Sequence, residues 1–211
     1  FDSVVNFLWE AARDPHVRRI YHTVYRTSPD SPILVALRDA ARRGKKVAVY
    51  VEIKARFDEM NNLRWADELR RAGVKVVRPM GDFKVHSKLT QVWRREPQGD
   101  AYYLHLGTGN YHPTTARQYT DLSLLTADAE LGREVSSYFA ALVRREQPSG
   151  IKHLLVAPTE LHAQFLRLIR DETRLQRHGG RGLIVAKMNA LIDPDIIEAL
   201  YDASRAGVRV E

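Results

Sequence analysis

ILVALRDAARRGKKVAVYVEI, residues 33–53, is the stretch whose reading decides the fold. Its first half places Ile33, Leu34, Ala36, Leu37 and Ala40 at helical spacing, and Gly44 follows where a left-handed cap can end a helix over residues 32–43. Its second half is a short, unbroken apolar run of the kind that forms a buried strand. A strand is predicted just upstream, near residues 19–26. Downstream, a helix over 58–72 is closed by Gly73 and feeds the strand VKVVR. Strand and helix alternate, so the pattern predicts an α/β fold with a largely parallel sheet.

Further along, residues 84–94 and 101–107 show the alternation of two strands joined by the turn Pro97-Gln98-Gly99-Asp100. A strand DLSLLT precedes a helix that Asp128 can cap and that ends near Arg145. The break Gln147-Pro148-Ser149-Gly150 predicts a boundary between a domain at 1–148 and another at 149–211. Beyond it come HLLVAP, a helix capped by Thr159, a glycine-rich loop at 178–182, the strand LIVAKM and a helix with Asp193 as cap and Pro194 in its first turn. ILVALRDAARRG at 33–44 aligns with IIEALYDASRAG at 196–207 in its apolar positions, in Asp39/Asp202 and Arg42/Arg205, and in the closing glycine. Either the chain carries an internal duplication, or two glycine-capped amphipathic helices share a pattern.

Composition narrows the partners. There are 33 Lys and Arg against 26 Asp and Glu, a formal net charge of +7 and a pI near 9.7. That excess gathers polyanions, whether nucleic acid, polyphosphate or an anionic membrane surface. The absence of cysteine excludes disulfides and thiolate metal sites. No apolar run reaches the ~18 to 20 residues of a membrane span, and FDSVVNFLWEAARD has the charge pattern of an ordinary helix, not of a signal peptide. The start at Phe1 without an initiator methionine, and the stop at Glu211 inside an apparent strand, predict a piece of a longer protein.

Chemistry concentrates in Lys84-Val85-His86-Ser87-Lys88-Leu89. A strand period here puts Lys84, His86 and Lys88 on one face. Such a face can simply be solvated. It can also be a phosphoryl site, in which a neutral imidazole attacks phosphorus while ammonium groups neutralise its oxygens. The following Gly107-Thr108-Gly109-Asn110 turn can aim backbone amides and an Asn side chain at an anion, though an ordinary glycine turn would read the same.

HxK followed about twenty residues later by GTGN resembles the histidine-lysine signature of the phospholipase D superfamily, in which two halves form one site around a phosphate. That superfamily carries an Asp five residues after its Lys, and Trp93 stands there in this chain. A closer resemblance is to polyphosphate kinase of the first, histidine-phosphorylating family. It is carried in order by IYHTVYRTSPDSPI, VEIKARFDEMNNLRWADELRRAGVKV, KVHSKL, YLHLGTGNYHPTTARQYTDLSLLTAD and KMNALIDPDIIEALYDASRAGV, and spans essentially the whole chain. The resemblance implies a phospholipase-D-like mixed sheet flanked by helices, with one complete half at 1–148 carrying the active histidine and the start of a second, truncated repeat at 149–211.

It also implies reversible transfer of the terminal phosphate of ATP to inorganic polyphosphate, through a phosphohistidine at His86 and with Mg²⁺. Lys88 becomes the equatorial clamp. Arg26 and Arg56 match arginines associated with the magnesium site; an always-protonated guanidinium would act there by gripping phosphate oxygens beside the ion. Tyr119 matches a nucleotide-contacting tyrosine, and Asn110 and Lys84 are added as phosphate contacts. Asp121, Glu52 and Asp58 receive no role, and His105 and His112 read as structural, His112 being the nearer to the site. Expected partners are ATP or ADP, polyphosphate and further copies of the chain in a homo-oligomer, with no specific nucleic acid and no transmembrane segment. The expected location is cytoplasmic or peripheral at a membrane. The family's site is completed by segments outside these residues, so the stretch alone should turn over ATP poorly or not at all. A phospholipase-D-like phosphodiesterase or nuclease is the rival enzyme. A basic nucleic-acid-binding module has only the charge in its favour.

Overall fold

The computed structural model describes residues 1–25, 30–51, 59–78 and 84–211. They divide into two compact units, Phe1–Ile151 and Lys152–Glu211.

In the first unit, α1 (Asp2–Arg13), β1 (Val17–Val24), α2 (Pro32–Arg42), β2 (Lys46–Val51), α3 (Glu59–Arg71) and β3 (Lys75–Val77) alternate as predicted. They are followed by β4 (Lys88–Glu96), β5 (Gly99–Gly107), the short α4 (Thr115–Gln118), β6 (Ser123–Thr126) and α5 (Ala129–Arg144). One six-stranded sheet has the order β3-β2-β1-β4-β5-β6. β1, β2 and β3 run parallel, whereas β4, β5 and β6 are each antiparallel to their predecessors in that order, so the sheet is mixed. The core lies where α1, α2 and α3 meet β1 and β2. There Leu8, Ile20, Leu37, Val49, Trp65 and Leu69 are all at most 2% exposed, each such burial being worth about 1.5–3 kcal/mol. α5 packs elsewhere on the sheet: the Phe139 ring lies 5.0 Å from Tyr21, and the Gln91 amide donates to the Gly132 carbonyl at 2.7 Å. Asp128 caps α5 as predicted, accepting from the amides of Glu130 and Leu131.

Local corrections have identifiable causes. Residues 84–87 lie outside any strand, and β4 begins only at Lys88. The Thr23 hydroxyl accepts from the Leu89 amide at 2.9 Å and donates to the Ser87 carbonyl at 2.7 Å, so a side chain takes over backbone groups the ladder would otherwise pair. The hairpin loop is Pro97-Gln98 alone, because Gly99 and Asp100 already pair with Glu96 and Arg95.

The second unit contains α6 (Leu161–Arg177), β7 (Leu183–Ile184), α7 (Pro194–Arg205) and β8 (Arg209–Val210). Thr159 does not cap α6; its hydroxyl donates to Val156 O, and Glu160 holds the cap position without a side-chain bond. HLLVAP forms no strand, and LIVAKM contributes only Leu183 and Ile184. Asp193 does cap α7, through the Ile196 amide. The two aligned stretches share the same local order. α2 ends at Gly44 (φ +83°) and leads to β2, parallel to β1; α7 ends at Gly207 (φ +93°) and leads to β8, parallel to β7.

Candidate functional site

Sheet register brings the predicted motif residues to one end of the first unit. Lys88, the first residue of β4, pairs with Gly107, the last of β5, and Gly107 pairs in turn with Ser123, the first of β6. The 108–122 loop therefore leaves and re-enters the sheet beside the HxK segment. β1 and β2 end at the same level, Val24 opposite Val51. Arg26 and Arg56, with Glu52 and Asp58, fall outside the described residues.

His86 and Lys84 are exposed, while Lys88 is only 6% exposed. The Lys88 ammonium donates to the His86 carbonyl at 2.7 Å and lies 3.1 Å from both Nδ1 and Nε2 of the His86 ring. A neutral imidazole carries an in-plane lone pair on only one of its nitrogens, and an ammonium equidistant from both lies along the in-plane direction of neither. Burial pulls the Lys88 pKa down to about 8, with Asp121 opposing the shift and Lys84 adding to it.

Asp121, given no role from the sequence, is thus electrostatically coupled to the site. Its carboxylate accepts from the Thr108 hydroxyl at 2.8 Å, while that hydroxyl accepts from the Leu122 amide and the Thr108 amide donates to Leu122 O. The Thr108 amide is consequently engaged within the protein and is not available to an anion. Gly109 serves close packing: a Cβ there would stand 2.3 Å from Asp121 Oδ2 and 2.6 Å from its Cγ. Gly109→Ala is expected to swing Asp121 away and break its bond to Thr108, lowering stability by about 0.5–1.5 kcal/mol. The same substitution should slow any phosphoryl transfer by roughly tenfold, a combination that thermal melting and single-turnover assays would check.

Asn110 is half-buried in the loop, its carbonyl accepting from the His112 amide, and Tyr119 is 55% exposed just after α4. Both belong to the loop beside His86. His112 is half-buried, its Nδ1 accepting from the Thr114 amide. His105 lies beneath the turn in a buried polar chain: His22 Nδ1 to Thr90 Oγ1 (2.7 Å), Thr90 Oγ1 to the Tyr111 hydroxyl (3.2 Å), that hydroxyl to His105 Nδ1 (2.9 Å), and His105 Nε2 to Ser123 Oγ (3.0 Å). Burial lowers the pKa of His22 to about 3 and of His105 to about 4, so both rings are neutral. Trp93, at the position where the phospholipase D signature has its Asp, carries the Arg19 guanidinium 4.6 Å from its ring centroid. Tyr25 was missed from the sequence. It is 7% exposed, and its ring centroid lies 5.1 Å from Lys84 Nζ, 5.6 Å from Lys88 Nζ and 4.9 Å from the His86 ring.

A mixed sheet flanked by helices, with an HxK segment at its end beside a glycine-rich loop, defines a phospholipase-D-like α/β fold. NucT from Helicobacter pylori shares the fold, with a TM-score of 0.52 and 15% identity over 70% of this chain and 92% of that one. Within this class the chain belongs to the polyphosphate kinase family. Residues 1–148 match polyphosphate kinase C-terminal domain 1 and residues 154–211 match C-terminal domain 2. The chain is 48% identical to the polyphosphate kinase of Rhodopirellula baltica, covering all of this chain and 25% of that protein. It is 49% identical to polyphosphate kinase 1 of Chlorobaculum tepidum, covering all of this chain and 30% of the relative. The crystal structure of polyphosphate kinase from Porphyromonas gingivalis superposes with a TM-score of 0.88 at 41% identity, over 99% of this chain and 35% of that one. The chain thus spans about a quarter to a third of the length of these relatives.

Proposed function

We propose that the protein containing this chain transfers the terminal phosphate of ATP reversibly to inorganic polyphosphate, through a phosphohistidine at His86. The observation that carries the reading is the Lys88 ammonium held 3.1 Å from both ring nitrogens of an exposed imidazole. In the forward step a ring nitrogen lone pair attacks the γ-phosphorus, the P–O bond to ADP breaks and ADP departs. In the second step a terminal oxygen of polyphosphate attacks the same phosphorus, the P–N bond breaks and the neutral ring returns. Lys88 and Lys84 stabilise the equatorial oxygens, Asn110 and Tyr119 contact phosphate and nucleotide, and Arg26 and Arg56 grip phosphate oxygens.

Mg²⁺ belongs to this reading. Among the described residues no three-ligand cluster surrounds His86; the only such group is His162, Asp193 and Asp195 of the second unit. Asp121, the carboxylate coupled to Lys88, would help to hold Mg²⁺ here, with substrate phosphates supplying the remaining oxygen ligands. Bound there, Mg²⁺ would neutralise charge developing on the transferred group. We assign residues 1–148 to a first catalytic domain and 149–211 to the beginning of a second, and expect this stretch alone to turn over ATP poorly or not at all. Assembly into a homo-oligomer and a cytoplasmic or membrane-peripheral location complete the proposal. No described helix is long and apolar enough to cross a membrane.

The test uses the full-length protein with γ-labelled ATP and Mg²⁺. Acid-labile, base-stable label on the protein, chased onto added polyphosphate, is the expected result. Absence of label together with cleavage of a phosphodiester would sink the kinase reading and favour the nuclease-like alternative.

A further inference from the structure

Lys84, His86 and Lys88 meet at one ring. Tyr25 follows the last residue of β1, and pairing of β1 with β4 carries that strand end to the start of β4, where the HxK segment enters the sheet. The ring is almost wholly buried, with an ammonium from each lysine within 6 Å of its centroid and the His86 imidazole set against it at 75°. This arrangement has an electrostatic problem and supplies its answer. Two like charges are gathered beside a third group that must stay neutral, and one of them, Lys88, is drawn out of water. Left to repulsion alone, the exposed Lys84 would turn outward into solvent. An aromatic face carries negative potential and attracts ammonium groups at these separations, most strongly where they are desolvated.

We infer that Tyr25 is a positioning residue whose ring face holds Lys84 and Lys88 beside the His86 imidazole, so that both cations stand ready where phosphate oxygens must sit during transfer. The inference rests on the phosphohistidine reading for its catalytic consequence, and on the ring geometry alone for the placement of the lysines. It requires the aromatic face and not the hydroxyl. A phenylalanine at this position therefore preserves the function, and a ring of equal shape with its electron density withdrawn does not.

The experiment replaces Tyr25 of the full-length protein with phenylalanine and then with 3,5-difluoro- and 3,4,5-trifluorophenylalanine, which keep the shape of the ring while weakening its face. Two quantities are read in each variant: single-turnover labelling from γ-labelled ATP, and competitive acylation of Lys84 and Lys88 by trace acetic anhydride, resolved by peptide mass spectrometry with exposed Lys152 as internal reference. Phenylalanine should stay within about threefold of the parent, and the trifluoro ring should slow labelling about tenfold with little change in the ATP concentration for half-maximal rate. Acylation of Lys84 and Lys88 should rise severalfold along the series while Lys152 stays constant. Flat acylation overturns the inference whatever the label does. Rising acylation with unchanged labelling overturns its catalytic half. If the parent takes no label but acylation still rises with fluorination, the placement of the lysines stands and the phosphohistidine reading is what has failed. A loss in the phenylalanine variant as large as in the trifluoro variant would assign the effect to the hydroxyl and overturn the role of the ring.

Discussion

Full-length protein carrying His86→Gln should take up no acid-labile phosphate from ATP, a loss on the order of 10⁴-fold or more, and the Lys88→Met protein should take it up roughly 10²- to 10³-fold more slowly. Glutamine is close to histidine in size but has no nucleophilic ring nitrogen, and position 86 is exposed, so the fold is unaffected by the change. Methionine keeps the packing of the Lys88 stem while removing its charge from a site that is 6% exposed. Because burial holds the Lys88 ammonium at a pKa of about 8, the kcat/KM of the parent should also fall as the pH rises through that value, and this limb should vanish in Lys88→Met. Quantified phosphoenzyme at pH 7 and 9 checks all three statements. A Lys88→Met protein that labels at the parental rate would leave the close contact of ammonium and imidazole without a catalytic role.

The 211-residue chain should also lose stability between pH 6.5 and 4, a loss that begins well above the range in which ordinary carboxylates titrate. His22 and His105 are held neutral in the fold to about pH 3 and 4, whereas in the unfolded chain both take up protons from about pH 6.5 downward. Across that window the unfolded state binds more protons, so stability falls as the pH falls. At pH 4 the cost is on the order of 3 kcal/mol for each ring, a large share of the stability of a domain this size. His22 is the more demanding of the two, since it is fully buried and its Nε2 has no hydrogen-bond partner among the described residues. Urea unfolding at pH 7 and at pH 4.5 measures the drop. His105→Asn should be less stable at neutral pH by about 1–3 kcal/mol, because Tyr111 and Ser123 lose a partner, and should show a shallower dependence on acid. An unchanged slope in that variant would place the proton uptake elsewhere.

Much of this architecture was legible along the chain, and what was legible is local. The helix before Gly44, the caps at Asp128 and Asp193 and the run that forms β2 all depend on side chains within a few residues of one another. The grouping of Lys84, His86 and Lys88 was legible through a strand period, even though residues 84–87 form no strand; a shared aromatic ring gathers them instead. What escaped the sequence reading depends on pairing between distant segments. Nothing near Tyr25 indicates that its ring meets a motif some sixty residues later, and nothing near Asp121 shows that it fills the space left by Gly109. His105 did read as structural, yet its chain to His22 passes through Thr90 and Tyr111 and exists only once β1, β4 and β5 have aligned.

The hydroxyl of Thr23 sets the mechanical character of the segment bearing His86. At Ser87 and Leu89 that segment is joined to β1 by one side chain and not by a run of ladder bonds, so these backbone groups depend on the Thr23 hydroxyl for their pairing. Thr23→Val should therefore speed amide exchange at Leu89 by about an order of magnitude while leaving exchange in the middle of β4 unchanged. One threonine thus stitches the entry of the HxK segment to the neighbouring strand, a task that a run of backbone pairs performs everywhere else along β1 and β4.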